Sequence, residues 1–184
     1  GTDKGDGYNE TLGYGAYTGG DVNLVGMTLG DIDRLQTQML RHPNNRWNSS
    51  AIGRYQIVRT TLRKLKKRMG ATDDMVFDKN MQDRMAMELL KGRGLEDWQA
   101  GRMSDSKFIN GLAKEWASLP NSSGRGHYKG QRAGTTVGGL LTALGETRKG
   151  GTQVASLDTS IGLPTEPVAA YRNITDEDGE GNAG

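Results

Sequence analysis

The chain has no cysteine among its 184 residues. That excludes disulfides and thiolate metal sites, and it fits synthesis in a reducing compartment. Two histidines, His42 and His127, are too few for a histidine-based metal cluster. Two acidic stretches fail as calcium loops: "DKGDGYNE" has Gly5 and Gly7 where ligands are required, and "DEDGEG" lacks the alternation of oxygen donors. No metal or other cofactor is expected. No apolar run approaches the roughly eighteen residues of a membrane helix, so no membrane span is expected either. Hydrophobic residues make up only 34% of the chain, which calls for a compact core. Sustained alternation of polar and apolar residues is missing as well, so strands are limited to a small ribbon in the opening loop.

What is present is helical pattern, glycine and unevenly placed charge. The net charge of +2 conceals a body of +6 up to Arg148 and a tail of −4 from Lys149 onward. A basic body points to an anionic partner such as nucleic acid, a membrane surface or a cell-wall polymer. Helical spacing first appears after an opening loop that runs to about Gly26. Thr28 and Asp31 form a capping box, and Ile32, Leu35, Met39 and Leu40 recur on one face until Pro43. A second helix is expected from Ser50 or Ile52 to Gly70, burying Ile57, Thr61, Leu65 and Met69. Asp78 caps a third, with Met81, Met85 and Leu89 inward and Lys91, Gly92 and Gly94 at its end. "LEDWQAG" is a short helix or turn. Ser104 caps a fourth helix that runs to Pro120 and turns Phe108, Leu112 and Trp116 inward. A last helix over 135–148 buries Val137, Leu140, Leu141 and Leu144. The fold class is mainly α, with one domain over 1–148. Residues 149–184, rich in Gly, Pro, Ser, Thr and acids, form a flexible acidic tail that buries too little to offset the entropy of ordering.

Three stretches concentrate groups able to meet a ligand. The opening loop sets Tyr8, Tyr14 and Tyr17 among closely spaced glycines. Glycines allow close backbone approach, and tyrosines offer a flat face with a polar tip. In "NSSAIGRYQIV", an Asn- and Ser-rich loop leads into Gly53, Arg54, Tyr55 and Gln56, which would occupy the first turn of the second helix. An ordinary helix start with Tyr55 half buried fits the spacing equally well. "NSSGRGHYKGQ" alternates Arg125, His127, Tyr128 and Lys129 on a glycine-rich loop, suited to a polyanion or a sugar, though a solvated connection explains it too. The basic run of Arg59, Arg63, Lys64, Lys66, Lys67 and Arg68 reads as a solvated helix face, and dedicated nucleic-acid recognition is not expected because no recognition motif accompanies it. A glycosidase needs a carboxyl held protonated near neutral pH. Asp3, Asp6 and Glu10 are the candidates in the opening loop, and none ends an apolar helix where burial would raise it.

Taken together, "GTDKGDG", "SSAIGRYQI" and "EWASLP…GRGHYKGQ" resemble the lambda-type endolysins, a phage and prophage muramidase family of lysozyme-like fold. The resemblance runs in order from residue 1 to about 145. It implies a lytic transglycosylase that cleaves the MurNAc–GlcNAc β-1,4 bond of peptidoglycan and leaves a 1,6-anhydro end. In that family the catalytic glutamate directly precedes the Gly-Thr-Asp that stands here as Gly1, Thr2 and Asp3. The expected acid therefore precedes Gly1, and this polypeptide alone is expected to be impaired. Glu10 is the substitute if the loop folds it into the pocket. The resemblance also implies that Gly53, Arg54, Tyr55 and Gln56 line the cleft floor. Loop position and chemistry suggest Tyr14, Tyr17 and Tyr128 as sugar-stacking walls, with Trp116 in the core behind them. The expected partners are peptidoglycan glycan strands and, through the tail, virion proteins. Such a protein would be made in the host cytoplasm and act on the wall in the periplasm, or travel with the virion. A second reading keeps the fold and cleft without turnover, as a peptidoglycan-binding or virion structural component.

Overall fold

The structure is a computed structural model and describes residues 7–115. The described chain divides after Met85 into two compact units. It contains five α-helices: α1 (Leu29–Arg41), α2 (Arg59–Met69), α3 (Lys79–Gly92), α4 (Leu95–Gln99) and α5 (Asp105–Glu115). The mainly helical expectation is borne out. Extended pairing among the described residues is confined to isolated bridges, Thr11 with Ile52, Ile52 with Ile57, and Thr28 with Val76.

In the first unit, α1 begins as its sequence dictates. The Asp31 amide donates to Thr28 Oγ1 at 3.2 Å, and the Thr28 amide returns the bond to Asp31 Oδ2 at 3.4 Å. Two further first-turn amides, those of Leu29 and Gly30, donate to the Met75 and Asp73 carbonyls at 2.7 and 3.0 Å. A neighbouring loop thus satisfies donors that a helix start leaves open. Ile32 and Met39 of the predicted face are buried, whereas Leu35 and Leu40 are half-buried. The buried side also takes Gln36, whose amide nitrogen donates to the Ser50 and Ile57 carbonyls at 3.1 and 3.0 Å.

The start of α2 departs from expectation. The helix begins at Arg59 instead of Ser50 or Ile52. Residues 52–57 instead fold back on themselves, with paired amide–carbonyl bonds between Ile52 and Ile57 at 3.2 and 3.0 Å. Gly53 has φ +77° and Gln56 φ +48°, left-handed values that end any right-handed helix there. The segment's helical spacing is therefore incidental up to Val58. Val58 is the N-cap, and Ser50 satisfies the first amide of the helix, its Oγ accepting the Arg59 amide at 2.8 Å. Leu62 and Leu65 form the buried face of α2, and the predicted Thr61 and Met69 are only half-buried. Gly70 closes the helix in the left-handed conformation, as expected. Arg63 joins α2 to α1 through a two-point bond to Asp33, at 2.7 and 3.0 Å.

Asp78 caps α3 through the Met81 amide at 2.8 Å, and Met81, Met85 and Leu89 are buried as predicted. The later turns of α3 open the second unit, where α4 and α5 follow. Gly94 turns the chain into α4 at φ +100°. Trp98 stacks on Phe108 with ring centres 4.6 Å apart and donates its indole N–H to Asp105 at 2.9 Å. Ser104 Oγ accepts the Lys107 amide at 3.1 Å, the expected cap of α5. Phe108, Leu112 and Ala113 are buried. Trp116, the loop carrying Arg125 to Lys129, the helix over 135–148 and the tail over 149–184 lie outside the described residues. No described helix is long and apolar enough to cross a membrane.

Candidate functional site

The turn Gly53–Gln56 is a meeting point for the opening loop and α3. The Gln56 amide closes the turn on the Gly53 carbonyl at 3.2 Å, and the Gln56 side-chain amide binds the same oxygen at 2.8 Å. On the loop side, the Glu10 carbonyl accepts the Gly53 amide at 2.7 Å. It also receives a longer bond, 3.5 Å, from Gln56 Nε2. The Leu12 amide extends this contact to the Ala51 carbonyl at 3.0 Å.

On the helix side, two consecutive residues of α3 hold both partners. Gln82 is fully buried. Its Oε1 accepts the Arg54 amide at 2.9 Å, while its Nε2 donates to the Tyr8 and Phe77 carbonyls at 3.0 and 3.2 Å. Asp83 Oδ1 accepts two phenols, Tyr8 at 2.7 Å and Tyr55 at 2.8 Å. Above the Tyr8 ring stand two cations, the Arg54 guanidinium at 5.1 Å from the ring centre and the Lys79 ammonium at 5.4 Å. Both distances lie within the range of cation–π attraction.

The electrostatics follow from this packing. Burial raises the Tyr8 phenol above its ordinary 10.0 and the Tyr55 phenol well above it, and the hydrogen bonds to the Asp83 carboxylate push the same way. An ionised phenolate beside that carboxylate would lose its bond and face a like charge. Arg54 opposes the shift at both rings without cancelling it.

The expected site residues are thus brought together in part. Tyr55 and Gln56 are only 5% and 6% exposed, and their polar atoms point to partners within the protein. Arg54 is the half-exposed member of the turn. Glu10 is half-buried and reaches the turn through its main chain. Tyr14 is 47% exposed at φ +54°. Its amide bonds the carbonyl of Thr11, which bridges Ile52. Tyr17 meets His42 edge to face, 5.5 Å between ring centres. Tyr128 lies outside the described residues. Sequence reasoning named Tyr8 as a ring of the opening loop without its bond to Asp83, and missed Gln82 and Asp83 as members of this cluster. One signal was available: Gln82 shares its helix face with Met85 and Leu89, and a polar residue in an apolar stripe needs buried partners.

Half of the six basic residues of α2 are committed within the protein, and Lys64, Lys67 and Arg68 are exposed, as a solvated face requires. Arg59 is buried with its guanidinium on Thr37, Arg63 pairs with Asp33, and Lys66 pairs with Asp73. Among the described residues no group of three or more His, Asp or Glu is arranged to hold a metal.

A protein-family model described as Endolysin matches residues 2–143. No curated protein and no solved structure matches the chain. The matched span covers most of the sequence and includes the opening loop, the Gly53–Gln56 turn and α3. The chain belongs to the endolysin family, whose members are phage proteins that degrade the bacterial cell wall.

Proposed function

We propose that the chain is a lambda-type endolysin domain, a lytic transglycosylase acting on the MurNAc–GlcNAc β-1,4 bond of peptidoglycan. The observation that carries the reading is the Gly53–Gln56 turn, in which a buried frame presents one half-exposed cation, Arg54, inside the family-matched span. In this reading Gly53, Tyr55 and Gln56 form the rigid floor of a cleft and Arg54 positions the glycan. Tyr14 and Tyr17 supply stacking walls, with Tyr128 as a third. Residues 1–148 make up the cleaving domain, and 149–184 tether it to a virion or to a further partner.

The reaction needs one carboxyl. Its proton passes to the glycosidic oxygen as the bond from that oxygen to C1 breaks. The carboxylate left behind takes the proton of the sugar's own C6 hydroxyl, and that oxygen closes on C1. The product is a 1,6-anhydro ring, no water is consumed, and the carboxyl is regenerated. A second carboxylate to hold a water is unnecessary. Asp83 does not suit the acid role, because both phenols donate to it. Glu10 is the carboxyl whose main chain is fixed to the turn.

Purified peptidoglycan incubated with the 184-residue chain tests this. Release of 1,6-anhydro-muropeptides, identified by mass spectrometry, places the acid within the chain, and Glu10→Gln then abolishes release. Sedimentation with the wall but no release supports the binding component and an acid outside these residues. Neither sedimentation nor release overturns the reading.

A further inference from the structure

We propose that Asp83 is a positioning residue of the wall-recognition site, acting on Arg54 through Tyr8. This rests on the function proposed above, and it extends that reading to a residue of α3 that bonds the turn through Tyr55 and the opening loop through Tyr8. Three observations carry it. First, Asp83 Oδ1 takes the phenolic hydrogens of both Tyr8 and Tyr55, at 2.7 and 2.8 Å. One carboxylate oxygen thereby fixes a residue of the opening loop and a residue of the turn in a single register. Hydrogen bonds to an ionised acceptor are about twice as strong as neutral ones, so a carboxylate is the side chain suited to hold two phenols at once. Second, the ring held in this way is the one beneath the Arg54 guanidinium. Rotating the Tyr8 ring away would remove the surface against which Arg54 rests. Third, the preceding residue, Gln82, binds the Arg54 amide and the Tyr8 carbonyl. The main chains of both segments are therefore fixed independently of Asp83. That division of labour assigns the backbone to Gln82 and the aromatic–cation pair to Asp83.

The consequence is specific. Loss of the Asp83 charge leaves the turn folded but loosens the hold on the Tyr8 ring and so weakens its contact with Arg54. Asp83→Asn keeps the shape and one acceptor oxygen, but replaces the charge with a donor that competes with the phenols. Sedimentation with purified peptidoglycan, well below the unfolding midpoint, is expected to give about tenfold weaker binding for Asp83→Asn. The far-ultraviolet spectrum should stay unchanged, and Asp83→Glu, which keeps the carboxylate, should recover part of the affinity. In an Arg54→Ala background, Asp83→Asn should cost nothing further, since the residue it positions is gone. A general loss of stability would not produce that non-additivity in affinity. Equal binding by wild type and Asp83→Asn, or additive losses with Arg54→Ala, overturns the positioning role while leaving the wall-binding function intact. Absence of wild-type binding overturns both. Hydrogen exchange of the Tyr8 to Tyr14 amides is the measurement that needs no ligand. It should rise modestly in Asp83→Asn and far more in Gln82→Ala, and equal rises refute the division of labour.

Discussion

A Cβ built on Gly53 would stand 2.5 Å from Gln82 Oε1 and 3.1 Å from both Gln82 Cδ and Phe77 Cε2. The backbone there has φ +77°. Gly53→Ala therefore imposes two separable penalties. Left-handed backbone costs an alanine about 1–2 kcal/mol. The clash forces Gln82 to move, and Gln82 holds the Arg54 amide, the Tyr8 carbonyl and the Phe77 carbonyl from a fully buried position. Breaking into that set leaves buried polar groups unpaired, at about 1–3 kcal/mol. The expected total is about 3 kcal/mol.

Gly70 separates the two terms. It has a similar φ of +65°, but nothing lies within 4 Å of its would-be Cβ. Gly70→Ala should show the backbone term alone, about 1 kcal/mol. For a chain of this size each kcal/mol moves the midpoint by about 2–4 °C. Thermal unfolding followed by circular dichroism should then give drops of about 6–12 °C for Gly53→Ala and about 2–4 °C for Gly70→Ala. Gln82→Ala should cost less in the Gly53→Ala background than in wild type, since the clash has already displaced the glutamine. Equal drops for the two glycine variants, or strict additivity with Gln82→Ala, would refute the clash argument and reduce Gly53 to an ordinary turn glycine.

Three further outcomes follow from the hydrogen bonding. Thr28→Ala removes one arm of the α1 capping box and should lower stability by about 1 kcal/mol, read from the urea midpoint; Thr28→Ser should restore it. The Arg63 guanidinium bonded to Asp33 holds that carboxyl below its ordinary 3.8. Its contribution is therefore complete above that value and is lost as the pH falls through the lower folded-state value, so Asp33→Asn should lower stability at neutral pH and flatten the decline below about pH 4. Tyr8 and Tyr55 are held above 10.0 by burial and then by Asp83. What the raised phenols contribute is complete below pH 10 and is lost as the pH rises beyond it. In an absorbance titration at about 295 nm Tyr55 should stay protonated at about pH 11 while the chain is folded and Tyr8 should titrate later than a free phenol, and normal titration of all the tyrosines would refute the buried cluster.

Helix ends were the most legible part of the fold, because they depend on contacts only a few residues apart. Thr28 with Asp31, Gly70, Asp78 and Ser104 act where their side chains or backbone freedom predict. The helical face of α3 was legible for the same reason, since Met81, Met85 and Leu89 sit on one side at any register. The start of α2 was not. Ile57, Thr61, Leu65 and Met69 recur at helical spacing, and nothing local in the sequence forbids a helix through Gly53. What forbids it is tertiary: the Gly53 amide goes to the Glu10 carbonyl, more than forty residues earlier, and the Arg54 amide goes to Gln82, nearly thirty later. Gln56 then adopts a left-handed backbone that its own type does not favour. It is held there by the bond from its side chain to the Gly53 carbonyl.

The same distinction explains the candidate site. Glycine followed by arginine, tyrosine and glutamine was recognisable as a motif, but the family resemblance implied that all four residues line the cleft floor, and spacing alone did not decide it. Fixing so short a turn by both faces leaves little side chain to spare: Tyr55 and Gln56 are consumed in holding the turn, and Arg54 alone projects from it. A motif read from one chain does not separate residues that form a site from residues that hold it in place. Burial separates them here. Half-exposed Arg54 is the member the proposed function assigns to ligand, whereas Tyr55, Gln56, Gln82 and Asp83 are engaged with other parts of the protein. Substitutions at Tyr55, Gln56 and Gln82 should therefore change folding and ligand affinity together, and those at Arg54 should change affinity alone. Unfolding midpoints measured beside wall sedimentation would show it: a drop of several degrees for Arg54→Ala would place Arg54 among the holding residues and remove the observation on which the proposed function rests.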